Sequence, residues 1–68
     1  MKKYQIRFYS SVGQGLVYCY DVVLKKYVKY ENYSTAVFET TPTEAQKLIK
    51  ELKNDNRTPK NVRLYIFD

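Results

Sequence analysis

Residues 41–53, Thr41-Pro42-Thr43-Glu44-Ala45-Gln46-Lys47-Leu48-Ile49-Lys50-Glu51-Leu52-Lys53, carry the strongest local signal in the chain. The Thr41 hydroxyl can accept from the amide of Glu44, and the Glu44 carboxylate can reach back to the amide of Thr41. Pro42 takes the first helical position, where no amide hydrogen is needed. Ala45, Leu48, Ile49 and Leu52 then recur at the spacing of one helical face. Lys50 and Lys53 fall in the last turn, where the dipole favours cations. Asn54-Asp55-Asn56 can end the helix, and Pro59 prevents its resumption.

A lone helix with one apolar stripe needs a sheet to cover, and the flanking sequence supplies strands. Tyr4 to Tyr9 alternates with period two, with Tyr4, Ile6 and Phe8 pointing one way. Ser10 to Gly15 reads as a turn, its glycines able to take positive φ. Leu16 to Leu24 reads as a second strand, apolar on both faces: Leu16, Tyr18, Tyr20 and Val22 on one, Val17, Cys19 and Val23 on the other. Such a strand is usually covered on both sides, and which side meets the helix stays open. Through Lys25 to Tyr33 either that strand runs on to a turn at Glu31-Asn32 or Lys25-Lys26 opens a loop; the turn at Asn32 is preferred. Tyr33 to Glu39 is expected as a third strand. Asn61 to Phe67 is expected as a fourth, with Val62, Leu64 and Ile66 inward and Arg63, Tyr65 and Phe67 outward. The expectation is one α+β domain over residues 1–68, in the order β-β-β-α-β. Its mainly antiparallel sheet of four strands carries one helix on one face, and the last strand lies beside the first.

Composition narrows the function. The chain has 68 residues and no histidine, which excludes Ser-His-Asp and Cys-His catalysis and His/Cys zinc sites. Cys19 is the single cysteine, so no intramolecular disulfide can form, which fits a reducing cytoplasm. Met1-Lys2-Lys3 is not followed by the apolar run of a signal peptide, and no stretch is apolar enough to span a membrane. Without export the sequons Asn32-Tyr33-Ser34 and Asn56-Arg57-Thr58 carry no meaning. The net charge of +5 favours partners with negative fields. Abundant Lys, Tyr and Asn are what AT-rich codons produce, which suits a low-GC bacterium, its phages or its plasmids.

No motif for catalysis, cofactor or metal emerges. Cys19 sits mid-strand with no evident cation to activate it. Gly13-Gln14-Gly15 lacks the Lys-Ser/Thr of a phosphate loop, and Asn54-Asp55-Asn56 lacks the glycine and glutamate of a calcium loop. Advancing about 100° per residue sets Glu44, Glu51 and Asp55 on one flank of the helix and Gln46, Lys50 and Lys53 on the other. The acidic flank disfavours insertion into a DNA groove, and no second helix exists for a helix-turn-helix.

The sheet face turned from the helix remains as the candidate surface. It is expected to draw on Lys3, Arg7, Tyr9, Tyr18, Tyr20, Arg63, Tyr65 and Phe67. Lys25, Lys26, Tyr27, Lys29 and Tyr30 make a second basic and aromatic cluster. Three readings of the face compete. It is a plain solvated surface rich in strand-forming tyrosine, an interface for an acidic protein surface or a second copy of the chain, or a platform for single-stranded nucleic acid. The leading expectation is a small non-catalytic protein-binding module, a phage- or plasmid-type accessory or inhibitory protein docking through the exposed Tyr/Arg sheet face. The alternative is single-stranded nucleic-acid binding through the same face and Lys25 to Tyr30. Neither needs a cofactor, a metal or a membrane.

Overall fold

The computed structural model describes residues 1–9, 17–58 and 61–67; the expected turn at 10–15, Leu16 and Pro59 lie outside them. Among the described residues five strands and one helix follow in the order β1 (Lys2–Tyr9), β2 (Tyr18–Asp21), β3 (Lys26–Lys29), β4 (Phe38–Thr40), α1 (Pro42–Lys53) and β5 (Asn61–Phe67). The α+β class, the antiparallel sheet and the single helix are as the sequence predicts. The difference is one more strand ahead of the helix.

β1 is the centre of the sheet. Along one edge it pairs with β5 from Lys3 opposite Phe67 to Tyr9 opposite Asn61. Its other edge is shared: β4 pairs with Lys2, Lys3 and Tyr4, and β2 with Arg7 and Phe8. β3 lies outside β2. All pairings are antiparallel, so β4 and β5 flank β1 and run the same way, with α1 as the crossover between them.

Directly opposed residues share a face of the sheet. Tyr4, Ile6 and Phe8 therefore face the helix together with Phe38, Leu64 and Val62. Ile6, Phe8, Ile49 and Leu52 form the core, with Tyr20, Tyr27, Phe38, Leu48, Val62 and Leu64 packed around it. The helix begins as its sequence dictates, with the Glu44 amide donating to the Thr41 hydroxyl at 3.3 Å. Asn54 closes it, its amide donating to the Glu51 carbonyl.

The expected second strand, Leu16 to Leu24, is cut short at Asp21. One Asp21 carboxylate oxygen accepts from the amides of Val23 and Leu24 at 2.9 and 3.0 Å, and the Asp21 carbonyl accepts from Lys25 at 2.7 Å. That is an Asx turn, a local alternative to the strand ladder. Val23 is left 85% exposed at the hairpin tip. Lys25 to Tyr30 is accordingly neither a loop nor a continuation but the turn's end and the paired strand β3.

The expected third strand, Tyr33 to Glu39, likewise shortens to Phe38–Thr40. Asn32 does turn the chain: its side-chain oxygen accepts from Ser34 and its carbonyl from Thr35. The Thr35 hydroxyl accepts in return from the amides of Glu31 and Asn32. Residues 33–36 are consumed by this turn, which leaves Ala36 at φ 54°.

A left-handed alanine costs on the order of 1–2 kcal/mol that glycine avoids. Ala36→Gly is expected to raise the unfolding free energy by about 1 kcal/mol, less the entropy glycine loses on folding. Urea denaturation checks this, and an unchanged or lower midpoint would contradict the turn.

Candidate ligand-binding face

The side of the sheet away from α1 is built by alternate residues of β1 and β5. Register places Arg7 opposite Arg63 and Cys19, Gln5 opposite Tyr65, Tyr9 opposite Asn61 and Lys3 opposite Phe67. The turn after β3 adds Tyr30 and Tyr33 to the same face.

Gln5 stands where one edge of β1 changes partner from β4 to β2, and its side chain is fully buried. Its amide nitrogen donates to the Thr35 carbonyl at 2.6 Å, fastening the 30–37 segment to the sheet. Its oxygen accepts from Arg7 Nε at 2.5 Å. Arg7 Nη2 donates in turn to the Tyr30 hydroxyl at 3.2 Å.

Arg7 is also enclosed by aromatic rings. Its guanidinium carbon lies 4.3 Å from the Tyr65 ring centroid, 4.6 Å from that of Tyr30 and 5.7 Å from that of Tyr33. Each contact is a cation over a negative ring face. Arg63 lies 5.7 Å from the Tyr9 ring in the same manner. The Tyr9 and Tyr65 hydroxyls share a hydrogen bond. Burial, then the hydroxyl of Tyr65, pushes the Tyr9 phenol upward. The hydrogen bond from Tyr9, with the charges of Arg7 and Arg63, draws Tyr65 downward. Tyr65 is thus the member of the pair that ionises first.

The face gathers Arg7, Tyr9, Tyr30, Arg63, Tyr65 and Phe67 from the expected residues. Tyr18 and Tyr20 are corrected: Phe8 opposite Tyr18 and Tyr20 opposite Tyr27 put them on the helix side. There the Tyr27 ring meets Phe8 edge-on at 4.9 Å and Tyr20 at 5.2 Å. The Tyr27 hydroxyl bonds Thr58 Oγ1 at 2.5 Å. Lys29 stands opposite Tyr18, away from the face. Lys25 and Lys26 join Tyr20, Tyr27, Asp55 and Arg57 around a separate notch of about 200 Å³. The basic cluster at 25–30 is therefore split, with only Tyr30 reaching Arg7.

Cys19 is buried opposite Arg7 and Val28, and burial pushes its thiol upward. The acidic helix flank is divided as well. Glu44 and Glu51 border a groove of about 510 Å³ over Phe38 and Leu48, whereas Asp55 is bound to Arg57 at 3.3 Å. Among the described residues no group of three or more Cys, Asp or Glu side chains could hold a metal ion. No helix of the described residues is long and apolar enough to cross a membrane.

Sequence reasoning missed Gln5, Tyr33 and Thr35. The burial of Gln5 has no sequence signal, because a polar residue on the outward phase of a strand reads as solvated. Tyr33 could have been found by reading Asn32-Tyr33-Ser34-Thr35 as turn chemistry instead of a strand start.

No family profile matches the chain, and no curated protein or solved structure matches it.

Tyr65→Phe is expected to shift the earliest tyrosine ionisation to higher pH, read from phenolate absorbance on alkaline titration. The lowered folded value means that this ionisation adds stability only above the unfolded pKa, a contribution lost as pH falls through the folded one. An unchanged first step would remove Tyr65 from this role.

Proposed function

We propose that the chain is a small non-catalytic protein-binding module that docks an acidic protein surface on its Tyr/Arg sheet face. The observation that carries this is the state of Arg7. Its cation is held between Tyr30 and Tyr65, and its Nε and Nη2 donate to Gln5 and Tyr30. One face of each ring is therefore occupied from within. Base stacking needs free ring faces and phosphate-directed cations, so the arrangement supports the protein reading over single-stranded nucleic acid. Rigid aromatics beside arginine, already ordered before contact, are what interface hot spots use. Tyr33, 72% exposed, offers the most accessible ring.

The net charge of +5 selects an acidic partner and speaks against face-to-face self-docking, which would oppose Lys3, Arg7 and Arg63 to their own copies. The buried free thiol of Cys19 supports a reducing cytoplasm as the place of action. Small size and a composition rich in Lys, Tyr and Asn support an accessory or inhibitory role of the phage or plasmid type.

Affinity capture from a low-GC bacterial lysate tests the proposal, with the chain as bait and with and without nuclease. A specific acidic protein is expected to be retained after nuclease and lost in Tyr33→Ser and Lys3→Glu, both at exposed positions. Truncating a central interface tyrosine should weaken binding by roughly 2 kcal/mol. Retention that disappears with nuclease would favour the nucleic-acid reading instead.

A further inference from the structure

β5 pairs with β1 along one edge only, and its other edge meets no strand of the described residues. An unpaired edge presents a row of amide and carbonyl groups to any extended chain, and natural sheets blunt such edges with short strands and lysines. The opposite edge of this sheet follows that rule. β3 is four residues long, Lys26-Tyr27-Val28-Lys29, with a lysine at each end. β5 does not follow it: Asn61-Val62-Arg63-Leu64-Tyr65-Ile66-Phe67 has seven residues, no proline, no lysine and one charge.

We infer that β5 pairs with β5 of a second copy, antiparallel about a two-fold axis at Leu64, to make one continuous sheet across a homodimer. The sequence of β5 is self-complementary in that register. Val62 falls opposite Ile66 of the second copy on the helix side, covering an isoleucine that is 55% exposed. On the other side Arg63 falls opposite Tyr65 of the second copy, a cation beside a ring. Asn61 meets Phe67, and the whole strand is used. Moving the axis to Arg63 would oppose two like charges, and moving it to Tyr65 would shorten the paired stretch to residues 63–67.

A two-fold axis normal to the sheet keeps both helices on one side. The two Tyr/Arg faces then adjoin on the other side as one surface. The dimer is independent of the partner proposed above, because that surface is present in either state. An edge contact of this extent lies at the small, transient end of interfaces.

Sedimentation equilibrium up to about millimolar protein, the range for such small contacts, tests the inference. The mass is expected to rise from 8.1 kDa toward twice that value. Ile66→Lys, at an exposed site and with its fold checked by circular dichroism, should weaken the dimer by about tenfold or more. Tyr33→Ser, away from β5, should leave it unchanged even where partner capture fails. In a mixture of labelled and unlabelled protein, isotope-filtered contacts should join the Val62 and Ile66 methyls of different copies. A strict monomer throughout, a dimer indifferent to Ile66→Lys, or the absence of those contacts in a dimer would each overturn it.

Discussion

The fold and its candidate face meet at one buried side chain. Gln5 has no exposed surface and sits where β1 changes hydrogen-bonding partner on one edge. A buried amide without partners is expensive, on the order of a few kcal/mol, and Gln5 meets that demand in two directions. It donates to the Thr35 carbonyl and accepts from Arg7. The first contact fixes the 30–37 turn over the sheet; the second holds the guanidinium near the Tyr30 and Tyr33 rings that the turn delivers. Removing the amide would free both the turn and Arg7, and with them the order of the aromatic face.

The same geometry explains how a chain this short can order both faces of its sheet. One helix covers one side, and at about 70 residues a single core supplies no more than a few kcal/mol. The outer side is not left to solvent: Gln5 and Cys19 are buried there, and Arg7 is partly covered. The face is an aromatic shell closed by the chain's own turn over its inner half. Its outer half, with Arg63, Phe67 and Tyr33, stays accessible, which is why the partner-binding proposal rests on those positions and on Lys3.

The helix and β5 were readable from sequence because every local signal at each agrees. Thr41, Pro42 and the stripe at 45, 48, 49 and 52 all favour a helix, and 61–67 alternates without interruption. The middle of the chain was harder because its signals conflict. Val22-Val23-Leu24 has strand propensity, but the Asp21 carboxylate captures two of its amides, and the turn wins. Tyr33 to Val37 looks extended, but Asn32 and Thr35 tie the backbone into a turn that tolerates a left-handed alanine. Period two then identified Arg7, Tyr9, Arg63, Tyr65 and Phe67 as neighbours. It could not assign Tyr18 and Tyr20 to a side, because a strand apolar on both faces gets its orientation from pairing with β1 and not from its own pattern.

The use of arginine follows from this shell. Lysine supplies most of the positive charge, and the described lysines lie on exposed positions of the helix, the hairpin and the N-terminus. The three arginines read from the sequence are each engaged through the plane or fork of the guanidinium. Arg7 stacks against rings while bonding Gln5, Arg63 lies beside Tyr9, and Arg57 reaches Asp55. An ammonium at position 7 would keep the charge but could not be planar between two tyrosines or bond Gln5 and Tyr30 from one rigid fork. It would also be more strongly hydrated and so be drawn toward water. The identity of residue 7, beyond its charge, is therefore what joins Gln5, Tyr30 and Tyr65 through one side chain.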